Sequence, residues 1–165
     1  MIVTIMAKLP LDKPSLAACP IAHSLSIFGD AWCMLILRDA HMGLTRFDEF
    51  RTSLGIAPSM LTKRLATLVE EGLFEKRRYS ELPPREEYLL TQSGQDILPV
   101  LFILGAWGRT HKPCNNPSQT PIFVDSETGV AIQPVVIDKI TGVEIGKQAI
   151  RPQTGLRGTF ESDYN

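Results

Sequence analysis

Between Pro58 and Glu71 the chain places Leu61, Leu65 and Leu68 at spacings of four and three, with Val69 beside the last. At about 100° per residue these side chains share one arc of a helix. Ser59, Lys63, Ala66, Thr67 and Glu70 fall on the opposite arc, with Arg64 at one edge and Thr62 on the other flank. Pro58 lacks an N–H and suits the first turn, while Gly72 stops the helix. The same pattern upstream predicts three more helices. Pro20 to Phe28 carries Ile21, Leu25 and Phe28 as a stripe and ends at Gly29. Asp30 suits the N-cap of AWCMLILRDAHM, which is apolar round much of its surface and should be the buried central helix, closed by Gly43. Thr45 suits the cap of RFDEFRTSL, in which Phe47, Phe50 and Leu54 face inward. Downstream, LFEKRRY and EEYLL read as two strands around SELPPR, whose prolines should keep the tip out of the ladder. Thr91 then caps a last helix, from Gln92 to about His111, whose run ILPVLFILGAW is apolar on nearly every face.

The character changes after Pro113. HKPCNNPSQTP reads as a linker, and an internal repeat follows it: DSETGVAI from Asp125 and DKITGVEI from Asp138. Each copy places Thr-Gly after a short β-branched run, the pattern of a small hairpin whose glycine supplies a positive φ. The expected organisation is an N-terminal arm over 1–18, a main domain over 19–112, and a linker, small β-ribbon and tail over 113–165. A final helix that is apolar on all sides needs either a deep core or a second subunit. A domain of this size has little depth to spare, so a homodimer interface is expected there, with the first helix as a further contributor.

Composition narrows the function. The 165 residues allow one core with a small appendage, and no apolar run is long enough for a bilayer. The N-terminus lacks a basic start followed by a long apolar stretch, so a cytoplasmic protein without membrane contact is expected. The net charge is −1, which excludes a generally basic nucleic-acid binder. From Ser59 to Arg85, however, six cations stand against four carboxylates, and the excess gathers toward the hairpin. Cys19, Cys33 and Cys114 are an odd set with no close pair, so neither a disulfide framework nor a metal site is expected. No catalytic constellation, phosphate loop or cofactor motif emerges, and the chain reads as a non-enzyme.

A helix with a small polar outer face, followed closely by an arginine-rich hairpin, suits double-stranded DNA. The helix can enter a major groove while the hairpin grips the backbone beside it. This is the winged helix-turn-helix plan. Ser59, Thr62, Lys63 and Thr67 are the candidate contacts from the helix, and Arg77, Arg78 and Arg85 those from the wing. Arg64 has two readings, a phosphate contact or an internal pair with Glu71 or Asp48. The alternative for the whole chain is a winged-helix module that binds protein and not DNA.

Further residues carry a family resemblance: Cys19-Pro20, Gly29-Asp30-Ala31-Trp32, Arg46-Phe47, Leu61-Thr62-Lys63-Arg64-Leu65, Glu71-Gly72-Leu73, Pro83-Pro84-Arg85-Glu86-Glu87-Tyr88 and Leu90-Thr91-Gln92-Ser93-Gly94. Over roughly Cys19 to Arg109 the chain resembles the HxlR family of bacterial transcription regulators. The resemblance implies a mainly α (α+β) fold, a winged helix-turn-helix with an added C-terminal dimerisation helix and a small β-ribbon extension. It implies a homodimer on a roughly palindromic operator, acting as repressor or activator. Some members respond to oxidants or electrophiles through an N-terminal cysteine, and Cys19 stands in that position. A thiol before a helix start gains thiolate character from the dipole, which makes Cys19 the redox candidate. The plainer reading is that Cys-Pro merely begins the helix. A small ligand at the dimer interface is the other expected trigger. Some relatives carry paired cysteines in the ribbon, where this chain has Thr-Gly turns.

Overall fold

The computed structural model describes residues 14–112, 123–147 and 149–150. Cys114, the linker from 113 and the tail from 151 lie outside the described residues, as does the arm up to 13. The chain divides between Gly108 and Arg109 into two compact units.

In the first unit a single helical turn, α1 (Pro14–Ala17), precedes four longer helices: α2 (Pro20–Phe28), α3 (Ala31–His41), α4 (Phe47–Leu54) and α5 (Pro58–Glu70). An antiparallel hairpin follows, β1 (Phe74–Glu81) with β2 (Pro84–Leu90). The short α6 (Gln92–Gln95) and the long α7 (Leu98–His111) complete the order. α3 is the central helix, with Cys33, Ile36 and Leu37 inside the core. Asp30 begins it as expected: its Oδ1 accepts the N–H groups of Trp32 and Cys33. The core is completed by Phe50 of α4, by Leu61, Leu65 and Leu68 of α5, and by Leu73, Phe74 and Ile97. Phe50 meets Phe74 edge to face, and Phe74 meets Tyr88 in the same way, so the root of the hairpin is locked to the helices.

Three expectations need correction. The last helix is broken, with α6 and α7 separated at Asp96-Ile97. Pro99 is the reason: in a continuous helix its ring would meet the Gln95 carbonyl and its missing N–H would leave that carbonyl unpaired. At the second position of a new helix it costs nothing. Thr91 caps α6 as predicted, accepting from Gly94 N–H and donating to the Gly72 carbonyl. A Cβ at Gly94 would run into the Leu73 carbonyl, so only glycine fits this close approach. The second correction is at α4, whose cap is Arg46 and not Thr45. Glu49 reaches back and accepts the N–H groups of both residues at 2.9 Å. These two bonds hold the Glu49 carboxyl below its ordinary value. Third, the strands run closer to the tip than the prolines suggested. Pro84 is the first residue of β2, opposite Glu81, an end position where no ladder N–H is required.

No single helix among the described residues is long and apolar enough to cross a membrane. None of the described side chains of α7 is fully buried. Val100, Leu104 and Trp107 are 49%, 51% and 54% exposed, and on α2 Ile21 and Leu25 are 71% and 49% exposed.

In the second unit the sequence repeat is a structural repeat. Isolated bridges join Val124 to Ala131 and Ile137 to Glu144. Gly129 and Gly142 close the two turns with the same φ of 69°. Asp125 accepts from the N–H groups of Glu127 and Thr128 and from the Thr128 hydroxyl. Asp138 likewise accepts from Ile140 N–H and the Thr141 hydroxyl. The threonine hydroxyl, with backbone N–H groups after it, lowers the pKa of each aspartate. Asp-x-x-Thr-Gly is therefore a self-closing turn.

Candidate nucleic-acid interface

α4, the turn at Gly55 and α5 form the helix-turn-helix. Gly55 ends α4 in the left-handed region at φ 60°, which a glycine adopts without strain. Ile56 is buried behind the turn, so the entry to α5 is fixed by the core. With its three leucines inside, α5 leaves Ser59, Thr62, Lys63, Ala66 and Glu70 exposed and Thr67 half-buried. The outer face is the one the spacing predicted.

The hydroxyls on that face are already engaged with the helix. Thr62 donates to the Pro58 carbonyl at 2.9 Å and Thr67 to the Lys63 carbonyl at 3.1 Å. With their protons turned inward, both present lone pairs outward. They are set to accept, as from a cytosine or adenine amino group, and would have to rotate to donate to a phosphate.

Arg64 is turned away from this face. Its guanidinium donates to Asp30 Oδ2 at 2.8 Å, in a largely buried pair that ties α5 to the start of α3. Neither Glu71 nor Asp48 is its partner, which corrects the sequence expectation. The sequence offered no signal for Asp30, 34 residues away and already assigned as a cap. Cys33 lies beside this pair. Burial first, and then the Asp30 carboxylate, push its thiol up to about 11, as suits an inert core cysteine.

The wing cations are not equivalent. Lys76 pairs with Glu86 at 3.2 Å and lies over the Tyr88 ring. Arg77 donates to Glu87 at 2.8 Å, and Glu87 is mostly buried, so this cation belongs to the fold as much as to the surface. Arg78 pairs with Glu81 at 3.2 Å with both side chains well exposed, a contact that water and salt weaken readily. Arg85, opposite Ser80 near the tip, has no ion pair among the described residues, and neither has Lys63. Arg46 was not among the sequence candidates. Its backbone bridges to Glu87 as a third edge to the wing, and its guanidinium lies 4.6 Å from the centroid of the Tyr79 ring. Cys19 sits half-buried just before α2, with no side-chain hydrogen bond to that helix start.

Comparison with known proteins agrees with this geometry. The family profile described as HxlR-like helix-turn-helix matches residues 27–116. The chain is similar to the HTH-type transcriptional regulator Rv3095 of Mycobacterium tuberculosis, itself uncharacterised, at 36% identity over 82% of this chain and 85% of that one. It is similar to YdeP of Bacillus subtilis, also uncharacterised, at 34% over 64% and 84%. Among solved structures it is similar to PA1607, a candidate transcription factor, with TM-score 0.75, 34% identity, and 84% and 96% of the two chains covered. The redox regulator HypR, solved in reduced form, gives TM-score 0.53 at 30% identity over 56% of this chain and 92% of that one. A winged helix-turn-helix built on these residues, matched over more than half of the sequence, places the chain in the HxlR-like helix-turn-helix family of transcriptional regulators.

Proposed function

We propose that the chain is a homodimeric regulator that binds a roughly palindromic DNA operator through α5 and the β1–β2 wing. The observation that carries the reading is the outer side of α5. It is exposed and polar, small except for Lys63 and Glu70, and among the described residues neither Lys63 at its centre nor Arg85 on the neighbouring hairpin forms a salt bridge. Ser59, Thr62, Lys63 and Thr67 face the groove, where the threonines accept from base amino groups and Lys63 donates to guanine or phosphate. Arg85 holds phosphate. Arg78 joins it by giving up an exposed pair, and Arg77 contributes least because Glu87 retains it. The half-exposed apolar side chains of α7 and α2 form the subunit contact. That contact sets two α5 helices about 34 Å apart, one turn of DNA.

A relative solved as a redox regulator supports a second element. HypR has been solved in reduced and oxidised forms, and YodB in its reduced form. In this chain we assign such a response to Cys19, half-buried before α2. Oxidation there would alter α2 and, through the dimer contact, the spacing of the two reading helices.

The test is fluorescence anisotropy with a labelled duplex from the DNA just upstream of the chain's own gene. Binding is expected to weaken steeply with salt and to fall in Lys63→Ala at unchanged thermal stability. A flat salt response with no effect of Lys63→Ala favours the protein-binding alternative. Cys19→Ser is expected to retain DNA binding in the presence of diamide; a variant still released by diamide removes Cys19 from the mechanism.

A further inference from the structure

From Leu44 to Leu90 three exposed cations form no salt bridge among the described residues: Lys63, Arg85 and Arg46. The first two are the expected contacts of a reading helix and a wing. We infer that Arg46 is a third DNA-backbone contact, a guanidinium seated on the Tyr79 ring so that it meets a phosphate at the junction of helix-turn-helix and wing. This assignment rests on the DNA-binding reading.

Four observations carry it. The Arg46 backbone is fixed at both ends of its role: it caps α4, and it bridges to Glu87 of β2. Its side chain is exposed yet not loose, because the Tyr79 ring lies 4.6 Å beneath it. Tyr79 itself is aimed by the register shift between Arg78 and Ser80, which takes it out of the regular ladder. The carboxylates at hand are mainly spent elsewhere. Glu49 is bound first to the N–H groups of Thr45 and Arg46, with the Arg46 charge the smallest influence on it, and Glu87 is bound to Arg77. What remains at this corner is a planar cation open to solvent, with one face on the Tyr79 ring and its N–H edge in no side-chain hydrogen bond among the described residues. An edge of that kind suits the paired oxygens of a phosphate. A guanidinium already held on a ring also loses less rotamer freedom on binding than a free one. Arg46 acts on the backbone, so its contribution is independent of base sequence.

The experiment is a salt titration of binding to two labelled duplexes, the upstream DNA and a scrambled sequence of the same length. Variants are Arg46→Ala, Arg46→Lys, Tyr79→Phe, Tyr79→Leu and, as reference, Lys63→Ala. Arg46→Ala is expected to weaken both duplexes alike, roughly tenfold, for one charge-assisted contact per protomer. The slope of log affinity against log salt is expected to fall by about 0.9 for each protomer. Arg46→Lys restores the slope but not the full affinity. Tyr79→Phe matches the parent. Tyr79→Leu lowers affinity about threefold with the slope unchanged, since the charge remains and only its seat is lost. An Arg46→Ala protein that keeps both affinity and slope, while Lys63→Ala weakens binding, overturns this assignment and leaves the DNA reading standing. If Arg46→Ala and Lys63→Ala are both without effect, both readings fall. A loss in Arg46→Ala that leaves the salt slope intact also overturns the assignment, because a merely structural role acts in that way.

Discussion

Helices α5 and α7 are nearly equal in length and both rich in leucine, yet they end in opposite situations. α5 sends Leu61, Leu65 and Leu68 entirely into the core, and what remains outside is mainly polar: Ser59, Thr62, Lys63 and Glu70 with Ala66, and Met60 near the start. α7 is apolar on nearly all sides, and none of its described side chains is fully buried. The difference lies in periodicity. α5 alternates apolar and polar positions, so one chain satisfies it and its spare face seeks a polar partner. α7 has no polar side to give to water, so one chain cannot satisfy it and its spare face seeks another protein. The proposed function uses both kinds of incompleteness, α5 for DNA and α7 for a second subunit.

The comparison can be broken most forcefully through the core. Leu65→Ala is expected to cost about 3 kcal/mol in urea unfolding, by lost burial and the cavity left behind. Leu104→Ala, on the half-exposed side of α7, is expected to cost less than about 1 kcal/mol at protein concentrations too low for dimers. Equal losses would mean that the two helices are not distinct in kind. Next in size is Leu104→Glu. Sedimentation is expected to show a monomer, whereas Lys63→Glu stays dimeric and loses DNA. A Leu104→Glu protein that remains dimeric removes α7 from the interface.

A finer measurement concerns what holds α5 at its pitch. Arg64→Ala strands the largely buried Asp30 carboxylate and is expected to cost about 2 kcal/mol, below the range for fully buried pairs because some water reaches this one. In a double-mutant cycle Asp30→Asn keeps the cap, and a coupling of about 1 kcal/mol isolates the pair. No coupling would return Arg64 to the list of DNA contacts. The smallest effect is at the α4 cap. The Glu49 carboxyl is held low by the Thr45 and Arg46 N–H groups, so its contribution is present above its unfolded pKa. It is lost as pH falls through the lower folded value. Glu49→Gln is expected to flatten the acid limb of melting temperature against pH slightly; an unchanged limb would deny the cap any part in holding the corner.

Much of this was legible in the sequence because it is local. The leucine spacing of α5, the caps at Asp30 and Thr91, and the Thr-Gly turns each depend on residues within a few positions. The solvent-facing side of α5 followed from periodicity alone. What escaped was pairing across the fold. Arg64 and Asp30 meet only because α3 and α5 cross, and Glu87 claims Arg77 because the register places them opposite each other. Arg46 was passed over for the same reason. It stands before the helix in sequence, and only its bridge to Glu87 brings it to the wing. The break at Asp96 could have been foreseen from Pro99, but the continuous apolar run around it hid the stop.

One carboxylate, that of Asp30, serves two helices at once. Its first oxygen seats the start of α3, and its second grips α5 through Arg64, whose buried Nε has no hydrogen-bond partner among the described residues. Any swivel of α3 at its root must therefore drag α5 along or tear a cation from its largely buried anchor. The two helices are geared, and a disturbance arriving at the amino-terminal end of α3 is felt as a change in the aim of the exposed side of α5.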